Sequence, residues 1–386
     1  MAAEAFEPAD AVEPPEVPDL AALPPMDVAA RVERLRAGLD AAGCDALLVT
    51  HLVNVRYLTG FTGSAGLLLV TGDDLLFVSD GRYRDQAAEQ LDAAGVRARI
   101  EITGTEQRQV VALAVADAGV ARLGLEADHV TWAQQRRYAD EWFSGAELVA
   151  TSAVVEQLRL VKDAGEVARM EAAAAIADAA LARVQPLLWR EPTEAEVALD
   201  LDTEMRRLGA SGPSFETIVA AGPNGAKPHA RPSARRIREG DLVVIDFGAV
   251  VDGYCSDMTR TVVVGEPSAD QRRQWDVVAE AQQAGVDAVA PGVSTVEVDR
   301  ACRSVIAAAG WGEAFLHATG HGVGLDIHEA PRVAATGDAT LAAGHVVTVE
   351  PGVYLPERGG VRIEDTLLVT TDGCRALTRT PKRAAV

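Results

Sequence analysis

The chain has 386 residues, 48% of them apolar, and a formal net charge of -21 from 36 basic and 57 acidic side chains. That length exceeds one ordinary core, so two domains are expected, with apolar content enough to bury both. The acidic balance repels phosphate backbones and anionic membranes, which argues against nucleic-acid or membrane-surface binding as the main task.

The first 25 residues are rich in Pro, Ala and Glu and carry neither an apolar h-region nor a basic n-region. They predict an unstructured tail over 1–25 rather than a signal peptide, with Met26 as an alternative start. From Arg31 an amphipathic helix through Leu39 leads to apolar runs at 46–49, 66–70 and 75–78, separated by Gly-rich turns. This pattern predicts an α/β domain over 26–155. Lys162-Asp163 and an Ala-rich helix reaching Ala182 then open a second domain, 156–386. The four cysteines, Cys44, Cys255, Cys302 and Cys374, are scattered without CxxC or zinc-finger spacing and point to a reducing, cytoplasmic setting.

Within the second domain Thr193 to Glu196 and Ser294 to Glu297 both match a capping box, in which the hydroxyl accepts an orphan N–H and the Glu reaches back. Each opens a helix that leads toward a pair of carboxylates, so a pseudo-twofold domain is predicted. Asp246 ends the run Leu242-Val243-Val244-Ile245, Asp252-Gly253 marks a turn, and Asp257 opens the strand-like run from Met258 to Val264. Glu350 follows Val346-Val347-Thr348-Val349 and Glu364 follows Val361-Arg362-Ile363, with Pro356 and Gly359-Gly360 between them. Carboxylates nearly opposite each other on paired strands stand about 4.5–5.5 Å apart at Cβ.

Four carboxylates in apolar, β-branched surroundings are costly to bury unless cations compensate them. Two divalent ions do so, and His321 completes the cage with one nitrogen. The pattern predicts metal-assisted hydrolysis, with a hydroxide shared between the metals as nucleophile.

The segments SFETIVAAGPNGAKPHA, GDLVVIDFGAVVDGYCSDMTRT, GHGVGLDIHEAP, VEPGVY and GGVRIED resemble the pita-bread metallopeptidases, and most closely their proline-specific branch of Xaa-Pro dipeptidases and aminopeptidases P. NVRYLTGFTGSAG and SDGRYRDQA resemble the creatinase-like domain that precedes the catalytic one. The resemblance implies an α/β (α+β) architecture of these two domains. It makes Asp246, Asp257, His321, Glu350 and Glu364 the ligands of two metal ions, manganese first and cobalt or zinc next. It also gives Glu350 a proton-shuttling role and sets His229 and His328 beside the scissile carbonyl. His317, which also matches a family histidine, becomes a support of the ligands or a substrate contact, and Arg362, two strand positions from Glu364 and so on its face, orients that carboxylate or binds a carboxylate of the substrate.

The substrate implied is a small peptide with proline at its second position, whose scissile bond lacks the amide N–H that ordinary peptidases grip. The compact length favours a dipeptidase over an aminopeptidase P acting on longer peptides. A homodimer is expected from the family. A creatinase-like hydrolase without metals and a non-catalytic binding protein on the same fold are the rivals, and the intact ligand set counts against both.

Overall fold

The computed structural model describes residues 16–356 and 358–386. The chain divides into two compact units, Pro25–Asp163 and Ala164–Val386, and the described residues up to Pro24 belong to the second. The division falls later than the composition near Val155 suggested. Tyr57 Oη donates to the Leu158 carbonyl at 3.0 Å and Arg31 Nη2 to Asp163 Oδ2 at 2.9 Å, which ties the stretch after Val155 to the first unit.

Of the tail expected over 1–25, residues 1–15 lie outside the described residues. From Glu16 on, the expectation of an unstructured segment is corrected. A short 3-10 turn, Leu20–Ala22, is capped by the Asp19 side chain, which accepts from the Ala21 N–H. Val17, Leu20 and Leu23 pack against the core of the second unit. These three apolar side chains, three residues apart along the chain, bury surface that the Pro/Glu-rich average conceals.

The first unit is a six-stranded mixed sheet: β1 (Ala46–Val49), β2 (Leu67–Thr71), β3 (Leu75–Ser79), β4 (Arg99–Ile102), β5 (Arg122–Glu126) and β6 (Glu147–Thr151), in the order β4-β3-β2-β1-β5-β6. The apolar runs read from the sequence are β1, β2 and β3, which pair antiparallel. Helical crossovers allow β4, β5 and β6 to join in parallel.

In the second unit a long Ala-rich helix, Ala164–Val184, is buried on most of its surface, which small side chains permit. Helix Glu194–Arg207 follows, then antiparallel strands Leu242–Phe247 and Met258–Val263. Helices Ala269–Ala288 and Thr295–Ala308 come next, ahead of strands Val346–Val349, Gly352–Leu355, Gly359–Arg362 and Asp365–Val369. A helix pair followed by carboxylate-bearing strands thus occurs twice. Both expected capping boxes are formed, at Thr193 with Glu196 and at Ser294 with Glu297. Thr131 with Gln134 and Ser268 with Gln271 form two more. Among the described residues no helix is long and apolar enough to cross a membrane.

Candidate metal centre

Each carboxylate is delivered by a strand or strand end whose β-branched neighbours are buried. Strand Leu242–Phe247 is buried along its whole length and carries Asp246, while Met258–Val263 follows directly on Asp257. The register pairs Asp246 with Thr259 and Phe247 with Met258. The ladder continues through the Ser256 N–H to the Ala249 carbonyl, at 2.9 Å, into a tight turn at Asp252 and Gly253, both at positive φ. Asp257 therefore faces Gly248, and the two aspartates are diagonal rather than opposite, a relation in which residues stand roughly 7–8 Å apart with their Cβ atoms somewhat closer. This corrects the opposed arrangement read from the turn signal. The midpoint of the two residues lies beside the turn but not on it.

The second pair behaves as the spacing suggested. Val349 pairs with Asp365 on one side of the break and Gly352 with Arg362 on the other, so Glu350 and Glu364 face each other across it. The two halves are sewn together at Thr259. The Glu364 N–H donates to the Thr259 carbonyl at 3.1 Å, and Thr259 Oγ1 donates to Glu364 Oε2 at 2.8 Å.

His321 lies on the short strand Gly320–Gly322. A Cβ on Gly320 would stand 2.0 Å from the Thr348 carbonyl oxygen, and one on Gly322 2.1 Å from that of Ala330, so glycine is required on both sides. His321 Nδ1 lies 3.0 Å from the Gly322 carbonyl. That contact puts the proton on Nδ1 and turns the Nε2 lone pair toward Asp257 Oδ2, 3.5 Å away, and Glu350 Oε1, 3.4 Å away. Burial pulls the imidazole down to about 4, so the ring is neutral and ready to ligate at pH 7.

The electrostatics ask for cations. Burial, followed by the charges of Glu364, Asp246 and Glu350, holds the Asp257 carboxyl well above its ordinary range. Burial and then the charges of Glu350 and Asp246 do the same to Glu364. Burial pushes Glu350 up to about 8 against the pull of Arg362. Asp246 Oδ1 and Glu364 Oε1 are buried and have no hydrogen-bond partner among the described residues. Ligand atoms of Asp257, His321 and Glu364 all lie within 4.8 Å of one another. The donor set fits two hard or borderline divalent ions. With Arg362 counted, four carboxylates and two dications leave one positive charge, which a single bound anion neutralises.

Arg362 is buried and nearly saturated. Its Nε donates to Thr259 Oγ1 at 3.1 Å, its Nη1 to the Pro228 carbonyl at 3.2 Å and to Tyr354 Oη at 2.7 Å, and its Nη2 to Asp246 Oδ2 at 2.5 Å. His317 Nε2 lies 2.8 Å from the same Tyr354 hydroxyl, and its Nδ1 lies 2.8 Å from the Ala318 carbonyl. Burial, then Arg362, lowers this imidazole to about 4. Its segment is not helical, and both ring nitrogens are occupied within the wall of the site. His229 and His328 are instead exposed, and the His328 ring centroid is 4.4 Å from that of His321.

The five acidic and imidazole residues, together with His229, His317, His328 and Arg362, all line one cavity of about 400 Å³, with Phe215, Pro228 and Ile327 among its apolar walls. Sequence reasoning missed Thr259 and Tyr354. Both stand inside segments it singled out, DMTRT and VEPGVY, and the alternation of strand positions around the candidate ligands was the available signal.

Residues 168–371 match the model of metallopeptidase family M24, and residues 31–161 match the creatinase/prolidase N-terminal domain. The chain is 43% identical to the uncharacterized peptidase YqhT of Bacillus subtilis (strain 168), over 92% of this chain and 99% of that protein. It is similar to the solved structure of the Xaa-Pro dipeptidase from Bacillus anthracis, with a TM-score of 0.89 and 40% identity, covering 93% of this chain and all of the other. The X-Pro aminopeptidase from Thermotoga maritima MSB8 gives a TM-score of 0.84 and 34% identity over 92% of this chain and all of that one. A buried carboxylate and imidazole cluster built from two strand pairs, in a chain matched along both units, is thus accounted for: the protein belongs to metallopeptidase family M24 and carries a creatinase/prolidase N-terminal domain ahead of its peptidase domain.

Proposed function

We propose that the protein hydrolyses the Xaa-Pro bond of dipeptides at a dinuclear centre held by Asp246, Asp257, His321, Glu350 and Glu364. The observation that carries this reading is the pair of orphaned buried oxygens, Asp246 Oδ1 and Glu364 Oε1, one from each strand pair, lining a single cavity. Two divalent cations, manganese first by the hardness of the oxygen-rich set, supply Lewis acidity toward the peptide carbonyl and an activated water. The chain's own residues do the rest.

Glu350, steadied by Thr348 Oγ1 at 3.3 Å, receives a proton and returns it to the leaving proline nitrogen. His328 and His229, exposed in the cavity, donate to the oxygen on which negative charge develops. Phe215, Pro228 and Ile327 offer an apolar surface to the proline ring, and a volume of about 400 Å³ suits a short substrate. Relatives named for both Xaa-Pro dipeptidase and X-Pro aminopeptidase activity make cleavage of longer peptides the second reading. The protein acts in the cytoplasm as a homodimer in this proposal.

The test is amine release from an Xaa-Pro dipeptide and an Xaa-Pro-Yaa tripeptide by metal-stripped protein, before and after adding manganese, cobalt or zinc. Metal-dependent cleavage of the dipeptide alone supports the proposal. Preferential cleavage of the tripeptide moves the assignment to an aminopeptidase P, and no cleavage of either with two metals bound overturns it.

A further inference from the structure

The candidate metal centre is not the only group of side chains with a metal-ligand donor set among the described residues. His51, His129 and Glu156 form a second, wholly within the first unit, with ligand atoms all within 4.8 Å of one another. Three separate elements bring them together. His51 stands directly before helix Leu52–Thr59, His129 follows β5 in a turn where its N–H donates to the Glu126 carbonyl at 3.0 Å, and Glu156 lies in the first turn of helix Val154–Arg159. The two imidazole rings stack with centroids 3.7 Å apart, and His129 Nε2 is 3.0 Å from Glu156 Oε1. The side chains of His129 and Glu156 are each 29% exposed, so an ion can reach them from water.

A buried network stands behind this cluster. Asn54 Nδ2 donates to Glu156 Oε1 at 2.6 Å and to Glu126 Oε1 at 2.7 Å, while Glu126 Oε2 accepts from the His51 N–H at 2.8 Å. Arg159 Nη1 fixes the other end of the amide, donating to Asn54 Oδ1 at 2.8 Å. The network therefore orients both the carboxylate and the backbone that carries one imidazole, which is how metal ligands are held in place. Burial works against ionisation of Glu156, but the hydrogen bonds from Asn54, its own N–H and His129 outweigh it and keep the carboxyl below its ordinary range. Two imidazoles and one carboxylate suit four-coordinate zinc with a water in the remaining position, and they are richer in nitrogen than the oxygen-dominated set of the other centre. We infer that His51, His129 and Glu156 form a second metal site, taking one zinc ion that staples three elements of the first unit together. Parallel rings do not both point at one ion, so ligation swings them out of the stack.

The experiment strips full-length protein with a chelator, loads it with zinc, desalts it and counts zinc per chain by elemental analysis. His129→Ala and Glu156→Gln are each expected to hold one zinc fewer than wild type. Glu156→Gln keeps the shape of the side chain and guards against a His129→Ala that fails to fold. Asp257→Ala, which breaks the other cluster, should keep one zinc, and the double variant Asp257→Ala with His129→Ala should lose it. Because the ion binds the folded unit, zinc also raises the melting temperature of Asp257→Ala but not that of the double variant. A zinc content equal to wild type in both His129→Ala and Glu156→Gln overturns the site. The count does not depend on whether Xaa-Pro peptides are cleaved, so this inference and the peptidase reading fail separately.

Discussion

Thr259 and Glu364 are joined twice, once through the backbone N–H of Glu364 and once through the threonine hydroxyl, which also accepts from Arg362 Nε. A single buried hydroxyl therefore orients one proposed ligand carboxylate, Glu364, and the guanidinium that holds another, Asp246. Thr259→Val keeps the strand shape and removes both contacts. We expect the metals to bind about 10- to 100-fold more weakly, measured by titration of metal-stripped protein, with the fold retained by circular dichroism. Unchanged affinity would show that Glu364 needs no such support.

Removing a ligand should be more severe. Asp257→Ala or Glu364→Ala takes a charge from a cluster that is balanced only as a whole, so both metal content and hydrolysis are lost. Elemental analysis beside an activity assay checks this. A variant that keeps two metals and full turnover contradicts the ligand assignment.

His328→Ala should separate binding from turnover. Its ring is exposed in the cavity, so the variant retains its metals and slows by about a hundredfold. Parallel loss of metal would mean that the ring supports His321 rather than the reaction.

Tyr354→Phe deletes the hydroxyl that accepts from Arg362 and meets His317 Nε2. Two buried polar groups lose a partner, at a cost of about 1–3 kcal/mol in stability. A melting temperature equal to that of wild type would show that water replaces the hydroxyl.

The metal-free protein should become less stable as pH rises from about 6.5 to about 8. The Glu350 carboxyl moves up to about 8 from 4.5, so its stabilising contribution is present below 4.5 and lost as pH climbs through 8. Asp257 and Glu364 are raised in the same direction. His317 and His321 act oppositely, since each falls to about 4 from 6.5 and their contribution is lost only as pH drops through that interval. Above 6.5 the carboxyls therefore act alone. Thermal melts of chelator-treated and manganese-loaded protein should diverge by several degrees across this window, and a constant gap would contradict the carboxyl assignment.

That Asp246, Asp257, His321, Glu350 and Glu364 gather in one cavity was legible beforehand, because they punctuate dense apolar runs where an uncompensated carboxylate makes no sense. The first three strands were legible for the same reason. The diagonal placement of Asp246 and Asp257 was not, since a turn signal fixes where a chain reverses but not which residues end up paired. Thr259 and Tyr354 were hidden because a hydroxyl on a strand reads alike whether it faces water or a ligand. The unit boundary at Asp163 depends on Arg31 reaching across more than a hundred residues, and the order of Val17, Leu20 and Leu23 depends on a core assembled far downstream.

The two glycines beside His321 set a limit on how this centre can change. Because backbone oxygens fill the space where a side chain at 320 or 322 would begin, the imidazole has one address on its strand. On the proposed ligand set, metal preference can be retuned by exchanging the group at 321 or at the carboxylate positions, but not by sliding a ligand one step along the chain. Any route to a differently shaped centre on this scaffold has to move the strands themselves.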